Sequence, residues 1–249
     1  MTRGVLIYAF NNGDIDYFAM AKWSQKRIKR LLGLDTTIIS NSEQASSGGT
    51  RTFNDKRSQW LNASRCNAWE DSPYDETIVL DADYIVNSDT LLKLFDTKQD
   101  FLIHQTVSDV TAQNQFVGQE SFGELHFPQS WATVFYFNRA EDNQLIFDTV
   151  RMIKENYQHY ANLYKFPRQP FRNDYAFSIA LAALAGHRTT DEYRIPWPLT
   201  TSTHNVDVTV EGNKIHLQYD KNNKPQRLTI KDQDLHVLNK HTLGDICGT

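Results

Sequence analysis

Ile78-Val79-Leu80-Asp81-Ala82-Asp83 decides how this chain is read. Together with Thr77, the apolar residues form a short unbroken run, the pattern of a strand buried on both faces of a sheet. Side chains alternate along an extended chain, so positions i and i+2 share a side. Asp81 and Asp83 therefore aim two carboxylates at one point. That point lies just past the carboxyl end of a buried strand, where open α/β sheets place their ligands. Converging carboxylates repel each other unless a cation neutralises them. Oxygen ligands suit Mg²⁺ or Mn²⁺, and such an ion commonly bridges to phosphates.

Upstream, Gly4-Val5-Leu6-Ile7-Tyr8-Ala9-Phe10 is another apolar run, broken by Asn11-Asn12-Gly13. A helical stretch follows over residues 16–32, with Gly33 placed as its cap, and then a strand over residues 37–39. This β-α-β order implies parallel strands joined by a right-handed crossover. Residues 41–50 are rich in Ser and Gly and read as a loop, and residues 54–69 as a second helix. Downstream, Ser88 is placed to cap a short helix running to Leu94. Strands are expected over residues 101–103 and 132–137, and helices over residues 141–160 and 173–185, the latter stopped by Gly186. In the tail, residues 206–210 and 214–219 alternate around Glu211-Gly212-Asn213 as a β-hairpin, with a further strand near residues 227–230. The expected class is α/β: a mostly parallel central sheet flanked by helices, with a β-hairpin-rich C-terminal part. No seam or repeat divides the chain, so residues 1–249 are read as one domain.

Composition narrows the function classes. The 249 residues are 40% hydrophobic and 22% charged, as in a folded, water-soluble protein. No apolar run reaches the length of a membrane span, and the first strand meets polar residues too soon for a signal peptide. Two cysteines, Cys66 and Cys247, make neither a disulfide framework nor a zinc motif, which places the chain in a reducing cytoplasm. The net charge of -4 is uneven: residues 1–70 hold 10 Lys/Arg against 6 Asp/Glu, a net of +4, which suits a polyphosphate ligand. Neither G-x-G-x-x-G nor a Walker A loop follows the first strand, against NAD or ATP binding of those kinds.

The run Ser72-Pro73-Tyr74-Asp75-Glu76-Thr77-Ile78-Val79-Leu80-Asp81-Ala82-Asp83 resembles the approach to the metal strand of the GT-A glycosyltransferases, the nucleotide-sugar-dependent enzymes with a D-x-D motif. The resemblance extends, as order and spacing, to the β-α-β start, a later strand, an acid at a helix start and a late His. It implies a GT-A-like, Rossmann-related fold, with residues 1–100 as the nucleotide-sugar half and residues 101–249 as the acceptor half. It further implies Mn²⁺ or Mg²⁺ as cofactor. The donor would be a nucleoside diphosphate sugar, with a UDP-sugar favoured. The acceptor would be a hydroxyl on a glycan, a small molecule or a modified DNA base. Asp83 would ligate the ion directly, and Asp81 would contact the ion or the ribose. His236 would be the third ligand, with His241 as its competitor; the family's Gly and Lys-Pro-Trp after this His are absent. Tyr8, Ala9, Phe10 and Asn11 would hold base and ribose, and Arg65 or Arg57 the phosphates. Asp174 would be the catalytic acid on the acceptor side, as general base in an inverting enzyme or donor contact in a retaining one. Trp131 and the strand after it would line the acceptor side, although Thr133-Val134-Phe135 stand where the family has a Gly.

Two rivals share these residues. A sugar-phosphate nucleotidyltransferase uses a similar sheet, but Asn11-Asn12-Gly13-Asp14 makes a poor triphosphate cradle. A non-catalytic nucleic-acid-binding module would use Lys22, Lys26, Arg27, Lys29 and Arg30, against the overall acidity of the chain.

Overall fold

Strand β1, Arg3–Ala9, sends alternate side chains into two separate cores, which is why its apolar run has no polar interruption. Val5, Ile7 and Ala9 face helix α1, Tyr17–Leu32, through Phe18, Ala21 and Ile28. Leu6 and Tyr8 face the opposite side, against helices α3, Glu141–Glu155, and α5, Asn173–Leu184. This computed structural model describes residues 1–11, 15–40, 63–112, 121–124, 126–165, 171–188 and 191–247. The expected loop over residues 41–50 and most of the expected helix over residues 54–69, with Arg57, lie outside them.

The central sheet has five strands in the order β2-β1-β3-β9-β5. Strands β2, Asp35–Ser40, and β3, Glu76–Asp81, run parallel to β1 on either side, in the β-α-β arrangement expected. Strand β9, Trp131–Asn138, runs antiparallel to β3, and β5, Phe101–His104, antiparallel to β9. The ladders align Ala9 with Ser40 and Tyr8 with Asp81, so the parallel strands end along one lip. Strand β9 starts at that lip, since Val134 pairs with Leu80. Gly4 is set by a close approach: a Cβ there would collide with the Tyr74 ring.

A second sheet, in the order β4-β14-β10-β6, is built from short strands: β4, Tyr84–Ile85; β6, Val107–Asp109; β10, Leu199–Ser202; β14, Leu235–Val237. Ser121–Phe122 and Phe127–Pro128 pair as β7 and β8. The C-terminal hairpin has a third strand: β11, Asp207–Glu211, β12, Lys214–Lys221, and β13, Lys224–Lys231, form one antiparallel sheet.

Three helical segments differ from expectation. Residues 63–71 are a 3-10 segment, Ala63–Asn67, followed by one α-turn, α2, Ala68–Asp71. The helix expected after Ser88 is a 3-10 helix, Thr90–Asp96, with Ser88 accepting from the Thr90 amide at 3.2 Å. The helix expected over residues 141–160 breaks at Asn156, giving α3 and α4, Tyr157–Leu163. Asn173 is the first residue inside α5, with Arg172 at the cap. The last element, α6, Lys240–Cys247, was not foreseen. No helix among the described residues is long and apolar enough to cross a membrane.

Candidate metal and diphosphate site

The two acids of the D-x-D do converge. Asp81 is the last residue of β3, and the chain turns through Ala82 and Asp83 into β4. Strand β14 pairs antiparallel with β4, placing His236 opposite Tyr84. The Val237 amide donates to the Asp83 carbonyl at 3.0 Å, which fixes the register and brings the imidazole over the acids. His236 Nε2 lies 3.6 Å from Asp83 Oδ1 and 4.0 Å from Asp81 Oδ2. One ligand atom from each of Asp81, Asp83 and His236 lies within 4.8 Å of the others.

Two carboxylates and one imidazole form a mixed oxygen and nitrogen donor set, acceptable to Mn²⁺ and less natural for Mg²⁺. The residues fit a divalent ion. A metal-ligating His is normally oriented through its other ring nitrogen. Here Nδ1 sits 3.2 Å from the Thr201 hydroxyl on the neighbouring strand β10.

Buried Asp234 anchors the start of β14. Its carboxylate accepts from the Asn87 and Ser88 amides, both at 2.7 Å, and from the Ser88 and Tyr84 hydroxyls at 3.0 and 3.3 Å. Burial pushes its pKa up despite these bonds. Arg27 holds the same segment from α1, donating to the Val86 carbonyl at 3.0 Å and to Asn87 Oδ1 at 2.7 Å. The strand that carries His236 is thus tied to the turn after the D-x-D by side chains as well as by backbone.

Each acid also has a cationic partner. Arg65, from the 3-10 segment, pairs with Asp81 and donates to the Ala132 carbonyl at 2.7 Å. Burial pushes the Arg65 guanidinium below its ordinary pKa, while Asp174, Asp83 and Tyr8 pull it back up. Lys240, the first residue of α6, pairs with Asp83. Burial alone would raise the Asp83 pKa, but Lys240 and His236 hold the carboxyl well below the usual range. Burial likewise opposes charge on Lys240, and the attraction of Asp83 and Tyr17 more than reverses it.

Asp174 joins this group at one remove. Its Oδ1 accepts from the Ala132 amide at 2.9 Å, while the Ala132 carbonyl holds Arg65. Its Oδ2 accepts from Arg172 at 2.9 Å. The acid at the start of α5 is therefore linked to Asp81 through Ala132 and Arg65.

The structure thus brings together Asp81, Asp83, His236, Arg65 and Asp174, and it separates others from them. His241 does not belong to the cluster of Asp81, Asp83 and His236. The Tyr8 ring is fully buried, with its hydroxyl donating to Asp71 at 3.0 Å, and Phe10 stacks against it in the core with centroids 6.3 Å apart. Neither ring offers an open face to a base, because both fill the core between the sheet and its helices. Ala9 is buried as well, and Asn11 receives the Phe18 amide at 2.9 Å and donates to Asp16 at 2.9 Å, which ties down the start of α1. Trp131 opens β9 at the lip. Lys240 was missed. Its only signal in the sequence is its place four residues after His236, where a lone Lys belongs to no motif.

No known sequence-family profile matches the chain, and no curated protein matches it. Among solved structures, GlyE, a glycosyltransferase of Streptococcus pneumoniae TIGR4, is similar at a TM-score of 0.47 and 14% identity, over 79% of this chain and 46% of that one. The present chain therefore spans less than half of GlyE's length. A glycosyltransferase involved in glycosylation of the major capsid of PBCV-1 is similar at a TM-score of 0.39 and 16% identity, over 69% of this chain and 79% of that one. LgtC, a galactosyltransferase solved with donor and acceptor sugar analogues, is similar at a TM-score of 0.40 and 15% identity, over 72% of this chain and 70% of that one.

Proposed function

We propose that this protein is a cytoplasmic, metal-dependent glycosyltransferase that moves a sugar from a nucleoside diphosphate sugar, with UDP-sugar favoured, to a hydroxyl acceptor. One observation carries the reading: Asp81, Asp83 and His236 converge at the carboxyl lip of a parallel β-α-β unit, between Arg65 and Lys240. A knot of acids serving stability alone needs no imidazole aimed at the same point. Ligand sites of open α/β sheets occur at this lip.

When bound, a divalent ion would supply Lewis-acid stabilisation of the departing diphosphate. Asp81, Asp83 and His236 would hold it. Arg65, locked between Asp81 and the Ala132 carbonyl, would add fixed positive charge beside the leaving group. Asp174 would serve at the sugar end: its carboxylate is held from both oxygens, so its position is set before substrate arrives. Residues 1–100 would form the donor half and residues 101–249 the acceptor half, with His236 reaching back from the second to complete the first. The acceptor half contains a cavity of about 310 Å³ among Phe127, Tyr164, His187 and Arg188. Aromatic faces beside an Arg suit the mixed apolar and hydroxyl surfaces of a glycan.

The modified-DNA and nucleic-acid readings weaken because Arg27, the middle of the proposed basic face, is buried and spent on backbone carbonyls and Asn87. A thermal-shift panel of UDP-, GDP-, dTDP- and CMP-sugars, each with and without Mn²⁺, tests the proposal. A UDP-sugar with Mn²⁺ should raise the melting temperature more than either alone, because a ligand of the native state stabilises it by mass action. No shift with any sugar nucleotide would end the reading. Turnover of sugar 1-phosphate with a nucleoside triphosphate would replace it with the nucleotidyltransferase.

A further inference from the structure

The two acids that would hold the ion are each already neutralised by a side chain of the chain itself. Arg65 and Lys240 carry formal charges equal and opposite to those of Asp81 and Asp83. The formal charges of these four side chains cancel. A divalent ion entering this closed set brings two uncompensated positive charges into a poorly hydrated place, beside two cations that repel it. A diphosphate arriving with the ion supplies the missing negative charge.

The two cations differ in freedom. The Arg65 side chain is 7% exposed, and one of its nitrogens is held by the Ala132 carbonyl. The Lys240 side chain is 23% exposed, against 6% for Asp83. Lys is a compact charge on a flexible stem, so it can leave one anion for another at little steric cost. Arg65 is the fixed cation of the site, and Lys240 is the movable one.

We propose that Lys240 is a resident stand-in for the metal on Asp83, and that it makes divalent-ion binding conditional on the diphosphate. The inference rests on the reading of this site as a metal and diphosphate site. Without nucleotide, Lys240 competes with the ion for Asp83. With nucleotide, the ammonium transfers to a phosphate oxygen and releases Asp83 to the ion. No covalent bond is made or broken. By linkage, whatever factor the diphosphate gains for the ion, the ion gains for the diphosphate.

The test is titration of Mn²⁺, followed by electron paramagnetic resonance of the free ion, into wild-type protein and Lys240→Met, each with and without UDP. Wild type should bind Mn²⁺ weakly alone and at least about tenfold more tightly with UDP, a coupling of ordinary size for linked sites. Lys240→Met should bind Mn²⁺ alone about tenfold or more tighter than wild type, and UDP should improve it by a smaller factor. Lys240→Arg, which keeps the charge, should bind the ion alone no better than wild type. If Lys240→Met leaves Asp83 too poorly compensated to fold, Lys240→Gln removes the charge while keeping a donor, and circular dichroism checks the fold. Equal affinity of wild type and either neutral variant for Mn²⁺ alone would overturn the inference, whatever the nucleotide does. Failure of wild type to bind UDP with Mn²⁺ would instead strike the donor reading on which it rests.

Discussion

Strand β3 carries a buried acid at its start and a half-buried one at its end, and the two ends differ in kind. At its start, Glu76 accepts from Arg3 Nε at 2.7 Å and from the Tyr136 hydroxyl at 2.9 Å. Each carboxylate oxygen has its own donor, and Arg3 also reaches the Phe95 carbonyl at 3.2 Å. At its end, Asp81 and Asp83 face each other and share an imidazole, with a cation on each flank. The first arrangement is complete as it stands. The second gathers two acids and an imidazole into one donor set, with the partner of Asp83 a Lys on a flexible stem, so the set is balanced but open to exchange. Both ends are largely shielded from water and ion-paired, so burial and pairing do not tell the two apart. Convergence of two acids and an imidazole at the carboxyl lip is what marks the second end as the candidate site.

The sharpest way to break that contrast is Asp83→Asn. Transfer activity should fall by at least about 10²-fold, as expected when a group that stabilises developing charge is lost. The variant also strands Lys240, and breaking a buried pair costs about 3–5 kcal/mol when one charge is left behind. Asp83→Asn with Lys240→Met should therefore recover much of the stability in urea unfolding and none of the activity. Recovery of both would move the chemistry elsewhere.

His104 sharpens the contrast from the lip side. It ends β5, which runs parallel to β3, and it is buried there with Nδ1 3.1 Å from the Trp197 carbonyl. Burial pushes its pKa down to about 3, against the weaker upward pull of that carbonyl. A folded pKa below the unfolded one means stability that is full above about 6.5 and is lost as pH falls toward about 3. The slope carries at most roughly 4–5 kcal/mol over that window, at about 1.36 kcal/mol per unit. His104→Gln should flatten the urea midpoint against pH between 6.5 and 4, and leave Mn²⁺ and UDP binding as in wild type. A change in ligand binding would show that position at the lip matters more than convergence.

Much of this layout was legible in the chain, for a physical reason. Strands β1 and β3 are buried on both faces, so their sequences are unbroken apolar runs, and the D-x-D stands out where such a run stops. Helix α5 is buried nearly all round and reads as apolar without a polar stripe. The second sheet was not legible. Strands β4, β6, β10 and β14 have two to four residues each, too few to show alternation, and the segment after the D-x-D is tied to the start of β14 by Asp234 and to α1 by Arg27, over separations of 59 to 150 residues. Those bonds set where His236 lies, so the His could be nominated from its order in the chain but not placed. Tyr8 and Phe10 were not placeable from sequence, because an aromatic at a strand end looks the same whether it faces a ligand or the core.

Glu76→Gln tests the structural end of β3. It keeps the shape and removes the charge that Arg3 and the Tyr136 hydroxyl both use. Hydrogen bonds to a charged group contribute about 1.5–3 kcal/mol, and the Arg3 side chain is 45% exposed, which weakens its share. A loss near 2 kcal/mol is expected, with kcat/KM of the folded enzyme within about twofold of wild type. Tyr136→Phe removes the neutral donor alone and should cost about 1 kcal/mol. Its ring still packs edge-on against Phe95 at 5.8 Å, so the core contact survives and only the hydroxyl is lost. The hydroxyl pKa is raised, first by burial and then by Glu76, so it stays a proton donor across the working pH range and the cost should not vary with pH between 6 and 9. A variant that lost activity in step with stability, at temperatures where it remained folded, would mean that the two ends of β3 are coupled and that the start of the strand also shapes the lip.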